Sequence, residues 1–557
     1  MDNIITYKYK TDRKYHCLEN GTTKIVNSSS GYSFKIPAML KDYDYSLSEL
    51  RCKYYFEDCV LTTSFEDKNP YPDRDKDIPD VGWKIYLDEW IVRYISNEEF
   101  LISNNISKVK ETKHVYDFLS KFELVQFSYF INDSKNIKQP YYNIAIIRDL
   151  NNYKEFYLFV MKSETDRSVD FETIINSFEM VEKKGKASNV EISYPININP
   201  KWNKMTKRYF NKLINQESID WGMFIKSLTS RKDSAYNYIK NYYKKYGSRL
   251  DDLTKYNFEL LPTYMHISWG DKLNYFPSTL ANKLAKGNGF NGKKVLHFTF
   301  QYTANNNTSM FGYSPTYDIL RGKYDEYFRQ LARDIKKYHY PVLFRLNNEM
   351  NTDWTSYSGI VSLLDPDIFI LTWNYLYNIF EEEGVDNCIW IFNPIHITTP
   401  YCNWGEYLNY YPKGKVNMLG LTSYERGNEE KYLTFRKMYK SLNKKNSPYF
   451  DNFPSIISEF GAGAGGKVLF NYDSMKFEEK EIRRNLSKQQ RWVKNMFVEF
   501  DKRQSHTKNI KGAIWFSVND YAYVNGKNEI MNYFELDDNV IPTIKALGKG
   551  LNNKSRD

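Results

Sequence analysis

The chain contains no run of about 18 apolar residues, so no membrane-spanning helix is expected. Its first ten residues, Met1-Asp-Asn-Ile-Ile-Thr-Tyr-Lys-Tyr-Lys10, lack the apolar stretch of a secretory signal. Cysteine is scarce: positions 17, 52, 59, 388 and 402 give an odd count with no metal-ligand spacing. That excludes a cysteine-based metal site, and 557 residues are too many for a fold that depends on disulfides. Cys52 and Cys59 are close enough in sequence to pair. Acidic residues fall short of basic ones, 68 against 78, giving a net charge of +10. The basic residues are scattered rather than striped, so nucleic acid is not an expected partner. The excess reads as a solvated, Lys-rich surface, with help in holding an anionic wall or polysaccharide as the alternative.

What the chain does have is aromatic side chains. Tyr alone accounts for 49 residues and Trp for 11, enough for a large core with rings left over for flat ligands. The length implies two or three domains. A polar stretch, Glu182-Lys-Lys-Gly-Lys-Ala-Ser-Asn189, separates residues 1–185 from residues 200–550. In the first part, Gly31–Pro37 alternates like a strand. Tyr142–Arg148 and Glu155–Met161 read as a hairpin around Asp149-Leu-Asn-Asn152, and Asp170–Phe178 reads as a helix. An α+β accessory domain is expected there. Attachment to a carbohydrate or cell wall and a passive spacer are its two candidate roles.

The second part repeats strand and helix. Candidate strands are Asp220–Ile225, Thr263–Ser268, Val295–Gln301, Val342–Asn347, Cys388–Asn393, Asn417–Ser423, Ser455–Glu459 and Gly512–Ser517. Between them, Tyr324, Phe328, Leu331 and Ile335 recur with helical period. So do Phe369, Trp373, Leu376 and Phe380, after an Asp365-Pro366 start and before Gly384. Ser487 with Gln490 reads as a capping box. Eight strands with helices between predict an α/β chain of the (β/α)8, or TIM barrel, type, with an open doubly wound sheet as the alternative.

A barrel gathers the C-terminal ends of its strands at one mouth. The fourth strand ends in Arg345-Leu-Asn-Asn-Glu349-Met-Asn351-Thr-Asp-Trp354, the seventh in Ile457-Ser-Glu459-Phe-Gly461. By period two, Arg345, Asn347 and Glu349 share a face. Two carboxylates brought to one mouth suit cleavage of a glycosidic bond. One must stay ionised as the nucleophile, with Arg345 and the Tyr424 hydroxyl as its donors. The other stays protonated because its anionic neighbour repels a second charge. Such a pair works by double displacement when the carboxyl groups stand about 5–5.5 Å apart.

These residues resemble glycoside hydrolase family 26, the β-mannanase family. The likeness extends to Gly322-Lys-Tyr324-Asp325, Trp390-Ile-Phe-Asn393-Pro394, Tyr410-Tyr-Pro412-Lys-Gly414 and Gly420-Leu-Thr-Ser-Tyr424, and covers roughly 200–540. The resemblance implies that Glu349 is the acid/base, Glu459 the nucleophile, and Tyr424 the residue that orients it. It also implies that Trp354 and Trp515 are sugar-stacking platforms. The chain departs from the family twice. Asn348 stands where the mannanases usually carry His, and Phe300-Gln301-Tyr302 where they show a Trp-His pair. In the wider clan of retaining barrels, Asn at this place hydrogen-bonds the sugar 2-hydroxyl.

Further rings lie near strand ends: Trp269, Tyr302, Tyr357, Trp404 and Tyr521. Trp404, in the polar loop Tyr401-Cys-Asn-Trp-Gly405, is the strongest subsite candidate, and Tyr302 joins the substrate-binding set. His266 and His297 lie within strands as core or supporting groups. Gly461-Ala-Gly-Ala-Gly-Gly466-Lys467 fits a phosphate-loop pattern, but Val468 stands where such a loop needs Ser or Thr. A flexible loop beside the cleft is expected instead. The expected function is a retaining endo-β-glycosidase acting on a polysaccharide, without a cofactor. Its expected place is outside the cell or at its surface, after removal of an export signal, with the cytoplasm as the alternative. A glycan-binding protein that has kept the barrel is the rival reading.

Overall fold

A computed structural model describes the chain except residues 1–3, 12, 49–50, 68–86, 89, 119–120, 152–154, 185–187, 196–197, 226–257, 270, 279–280, 283–293, 305–314, 398–401, 427–432, 446–453, 472–475, 484, 503–505, 537–539 and 555–557. Asn152, Tyr401, the Trp269 side chain and the middle of the expected interdomain stretch lie outside the described residues.

The N-terminal part holds a seven-stranded antiparallel sheet with Asp42–Ser48 at one edge and Ile106–Phe118 at the other. A four-stranded sheet, centred on Thr23–Asn27 and Tyr32–Ile36, accompanies it. The expected hairpin forms with Tyr142 opposite Lys162, and the helix runs Ser168–Asn176. One face of the large sheet buries Phe34, Tyr54, Phe159 and Phe178. Its other face packs on the barrel, placing Phe127, Tyr129 and Leu158 in one cluster with Tyr317, Ile360, Leu364 and Trp404.

The barrel is closed and all parallel. Its strands are β1 (Asp220–Ile225), β2 (Leu260–His266), β3 (Val295–Gln301), β4 (Val342–Leu346), β5 (Cys388–Phe392), β6 (Met418–Glu425), β7 (Ser455–Ala462) and β8 (Ile510–Ser517). β1 pairs with β8, with Asp220 opposite Gly512, and this excludes the open sheet. Helices α1 (Asp325–Tyr338), α2 (Pro366–Glu382), α3 (Leu486–Asp501) and α4 (Ile541–Lys554) lie outside it. α2 begins as its sequence dictates: Asp365 accepts from the Asp367 backbone N–H, Pro366 opens the first turn, and Gly384 follows at φ +68°. Phe344 of β4 and Trp390 of β5 pack against Phe380 of α2, so alternate residues of each strand face the helices.

Three local expectations are corrected. α3 starts one residue before the supposed Ser487–Gln490 box: Asn485 is the cap, accepting from Lys488 N at 3.1 Å. The glycine run is no flexible loop. β7 continues to Ala462, Gly466–Asn471 pairs with Lys476–Ile482, and residues 461–466 are buried. A Cβ on Gly466 would sit 2.0 Å from the Met531 carbonyl oxygen, so the glycine lets two hairpins approach. All five cysteines are free thiols. Cys52 faces Thr63 across its ladder while Cys59 faces Phe56, a register that keeps the two apart.

Candidate active site

β4 ends at Leu346, one residue before the sequence pattern suggests, and the chain then turns sharply. Asn347 and Glu349 both adopt positive φ, +48° and +59°, which costs about 1–3 kcal/mol each for side chains of this kind. Three sets of bonds hold the turn. Glu349 N donates to the Asn393 carbonyl at 2.9 Å, and Thr352 Oγ1 donates to the Glu349 carbonyl at 2.7 Å. The Asn351 amide exchanges bonds with the backbone of Ile395 at 3.0 and 3.1 Å. Period two therefore fails after Arg345. Asn347 is buried and accepts from Tyr302 N at 3.0 Å, whereas Glu349 is carried round to the mouth.

Glu459 lies on the inner face of β7 and collects donors. Arg345 Nη2 and the Tyr264 hydroxyl both reach Oε1 at 2.5 Å, and the Tyr424 hydroxyl reaches Oε2 at 2.9 Å. Burial drives the phenol pKa values of Tyr264 and Tyr424 well above the usual value, so both remain donors. Burial works against the charge on Arg345, but Tyr264 and Glu459 outweigh it and raise its pKa. Arg345 also donates to Thr299 Oγ1 at 2.7 Å, and with no exposed surface it can act on a ligand only through Glu459.

Glu349 has the opposite surroundings. Its carboxyl pKa is raised to about 8, first by burial and next by the charge of Glu459. The indole Nε1–H of Trp354, at 2.6 Å from Oε2, and Arg345 oppose this rise. Trp354 is 37% exposed, leaving a ring face open beside the carboxyl. Asn348 lies between the two acids. Its Oδ1 accepts from Gln301 Nε2 at 2.9 Å, which turns its Nδ2 toward Glu459 Oε1 at 3.4 Å. Tyr357 donates to the Asn348 carbonyl at 2.6 Å and receives a bond from Gln301 at 3.2 Å. The two places where the chain departs from the family pattern thus touch each other.

Three aromatic candidates do not reach this cleft. Trp515 is 1% exposed and packs against Phe460 and Trp492 on the helix side of β8; alternation puts Phe516, not Trp515, inside. Phe516 stacks on Phe224 at 4.8 Å and approaches Tyr424 at 6.1 Å. Trp404 is also 1% exposed. It lies under the N-terminal sheet with the Arg51 guanidinium 4.6 Å from its ring, and Glu66 accepts from its backbone N–H. Tyr302 is fully buried behind Asn347 and against Tyr357. Tyr521 is exposed on a hairpin strand after β8. His297 is kept neutral by burial and contacts Ser458 at 3.2 Å, and His266 contacts Thr303 at 2.5 Å.

Two residues join the site without a sequence role assigned to them. Tyr264 is one of 49 tyrosines, and its only signal is an inward position near the end of β2. Asp520, just after β8, has a carboxyl pKa raised to about 6, chiefly by burial; the charge of Glu459 adds to this, while Arg426 and a bond from Asn532 oppose it. Among the described residues, no cluster of His, Cys, Asp or Glu could hold a metal ion, and no helix is long and apolar enough to cross a membrane.

The class is thus a closed (β/α)8 barrel with two differently held glutamates at its mouth. Residues 282–463, which contain both, match the model of Glycosyl hydrolase family 26. A 162-residue stretch is 27% identical to Endoglucanase H of Acetivibrio thermocellus, covering 27% of this chain. The match spans only 17% of that protein's length. Among solved structures, the endo-β-1,4-mannanase catalytic domain of Bacillus sp. JAMB-750 is 11% identical with a TM-score of 0.39, over 64% of this chain and 92% of that one. A Bacillus subtilis mannanase is 12% identical with a TM-score of 0.35, over 58% and 88%.

Proposed function

We propose that the chain is a retaining, endo-acting β-glycosidase of a polysaccharide. One observation carries the reading: the two glutamates are held for opposite tasks, Glu459 by three donors and Glu349 by burial beside a negative charge. In the first step Glu459 attacks the anomeric carbon. The glycosidic C–O bond breaks, and the Glu349 proton passes to the leaving oxygen. Glu459 is then an ester and carries no charge, so one cause of the raised Glu349 pKa disappears. The Trp354 N–H bond favours the carboxylate that remains. In the second step Glu349 takes a proton from water, the water oxygen attacks the anomeric carbon, and the ester bond to Glu459 breaks.

Asn348 offers its Nδ2 to the sugar 2-hydroxyl, with Gln301 fixing the amide orientation. Trp354 supplies a stacking face. Arg345, Tyr264 and Tyr424 position Glu459. The candidate substrates are β-mannan and other β-linked or exopolysaccharide glycans, a range that the likeness to family 26 and to Endoglucanase H supports. The substrate lies outside the cell or at its surface.

The test is a panel of mannans, glucans, xylans and bacterial exopolysaccharides assayed for new reducing ends, with Glu459→Gln as the control. Hydrolysis of one class, lost in the variant, is expected. No hydrolysis of any glycan, with binding retained, would establish the rival reading of a binding protein. Gln301→Ala is expected to free the Asn348 amide and lower kcat/KM by up to about tenfold, the worth of one hydrogen bond. That loss should vanish on an aryl 2-deoxyglycoside, which has no hydroxyl for the amide to meet.

A further inference from the structure

The segment between β4 and α2, residues 347–365, carries Glu349 and Trp354 but contains no helix or strand. Four of its non-glycine residues, Asn347, Glu349, Leu363 and Leu364, have positive φ, and its side chains Ile360, Val361, Leu363 and Leu364 are buried. Most of the buried cluster they belong to comes from the N-terminal sheet and the segment Ile91–Ile95, which lies between two of its strands in the chain. The segment therefore does not support itself.

The N-terminal part also bonds it at both ends. At the near end, the Tyr94 hydroxyl donates to Asp353 Oδ2 at 2.5 Å, one residue before the Trp354 ring that donates to Glu349. At the far end, the Tyr142 hydroxyl reaches Asp365 Oδ2 at 2.6 Å. Lys162 bridges Asp365 and Asp367 at 2.9 and 2.7 Å, and Lys53 also meets Asp367. Asp365 caps α2 as well, so this clamp fixes the end of the segment to a helix start. A passive spacer needs no such bonds. The face of the large sheet that makes them is closed to any glycan.

We propose that the N-terminal part is a positioning element of the active site: Tyr94, in the segment Ile91–Ile95, holds Asp353, and through it keeps the Trp354 indole on the Glu349 carboxyl. The proposal rests on Glu349 being the acid/base. Tyr94 touches no substrate; it acts through two neighbours in the chain.

The experiment uses the full chain as parent, Tyr94→Phe, Asp353→Ala and Asp353→Asn. Two readouts are taken: hydrogen exchange over residues 350–357, and hydrolysis of the 2,4-dinitrophenyl and 4-methylumbelliferyl β-glycosides of cellobiose and mannobiose. Tyr94→Phe and Asp353→Ala should speed exchange in that segment alone. They should lower hydrolysis of the methylumbelliferyl glycoside, which needs a proton donor, by up to about 100-fold, and that of the dinitrophenyl glycoside much less. Asp353→Asn keeps an acceptor for Tyr94 and should behave as the parent. Unchanged exchange at 350–357, exchange faster throughout the chain, or equal losses with both leaving groups would overturn the proposal. Should Glu349 not be the acid, Glu349→Ala itself would show no leaving-group dependence, and the exchange measurement would then decide the positioning role alone.

Discussion

Glu459→Gln is expected to lower hydrolysis by more than about 10⁴-fold, roughly 5.5 kcal/mol in the barrier, while glycan binding persists. The amide keeps the shape of the side chain but cannot form the glycosyl ester. It also has one oxygen where the carboxylate has two, and so cannot satisfy Arg345 and Tyr264 on one side and Tyr424 on the other. Arg345 is left buried beside a neutral partner, a change that costs about 3–5 kcal/mol when a buried pair is broken. The variant should therefore melt earlier as well as stop turning over, and calorimetry separates the two effects. Azide gives a sharper test of the role. With Glu459→Ala, azide takes the nucleophile's place and attacks the anomeric carbon directly, so the glycosyl azide formed has inverted configuration. A retained configuration, or no azide adduct with an activated substrate, would remove Glu459 from the nucleophile's position.

The barrel was legible because each of its strands is a short apolar run ending in polar residues, and because α1 and α2 repeat with period 3.6 between clear stops. Glu349 and Glu459 were legible because strand ends in a barrel converge, so two distant carboxylates fall at one mouth. Side-chain direction was less so. Trp515 and Phe516 are neighbours, and only the closed sheet decides which of them faces inward. Trp404 sits in a polar loop that reads as exposed, yet the N-terminal sheet covers it, a contact between segments over 300 residues apart that no local pattern carries. The positive φ values at Asn347 and Glu349 broke the alternation that put both on one face with Arg345. The support for those angles comes from Asn393 and Ile395 of another strand end. The partnership of Gln301 with Asn348 was hidden for the same reason, since each was visible only as a separate departure from the family pattern.

Glu349→Ala is expected to cut hydrolysis of polysaccharide by about 10²–10⁴-fold. The loss should be small for a dinitrophenyl glycoside, whose leaving group departs without a proton. Azide added to this variant should yield a glycosyl azide of retained configuration, because it attacks the ester intermediate and no carboxylate opposes it. The parent's pH profile follows from the raised pKa of about 8. The acid must be protonated in the first step, so kcat/KM should fall as pH rises past that value. In Glu349→Gln this fall should be absent from whatever activity remains. Stability responds in the same direction. The folded carboxyl holds its proton up to about pH 8, whereas the unfolded one releases it near its ordinary value of 4.5. Stability from this group is thus complete below about pH 4.5 and is lost as pH rises through 8. Glu349→Gln has no proton to lose, so its Tm should fall less than the parent's between pH 5 and pH 8. A parent Tm with the same pH dependence as the variant's would mean that Glu349 is already ionised in the resting protein. A resting carboxylate at that position has no proton to give the leaving oxygen, and the first step would then have to draw it from elsewhere in the cleft, with Asp520, whose charge interacts with both glutamates, as one candidate.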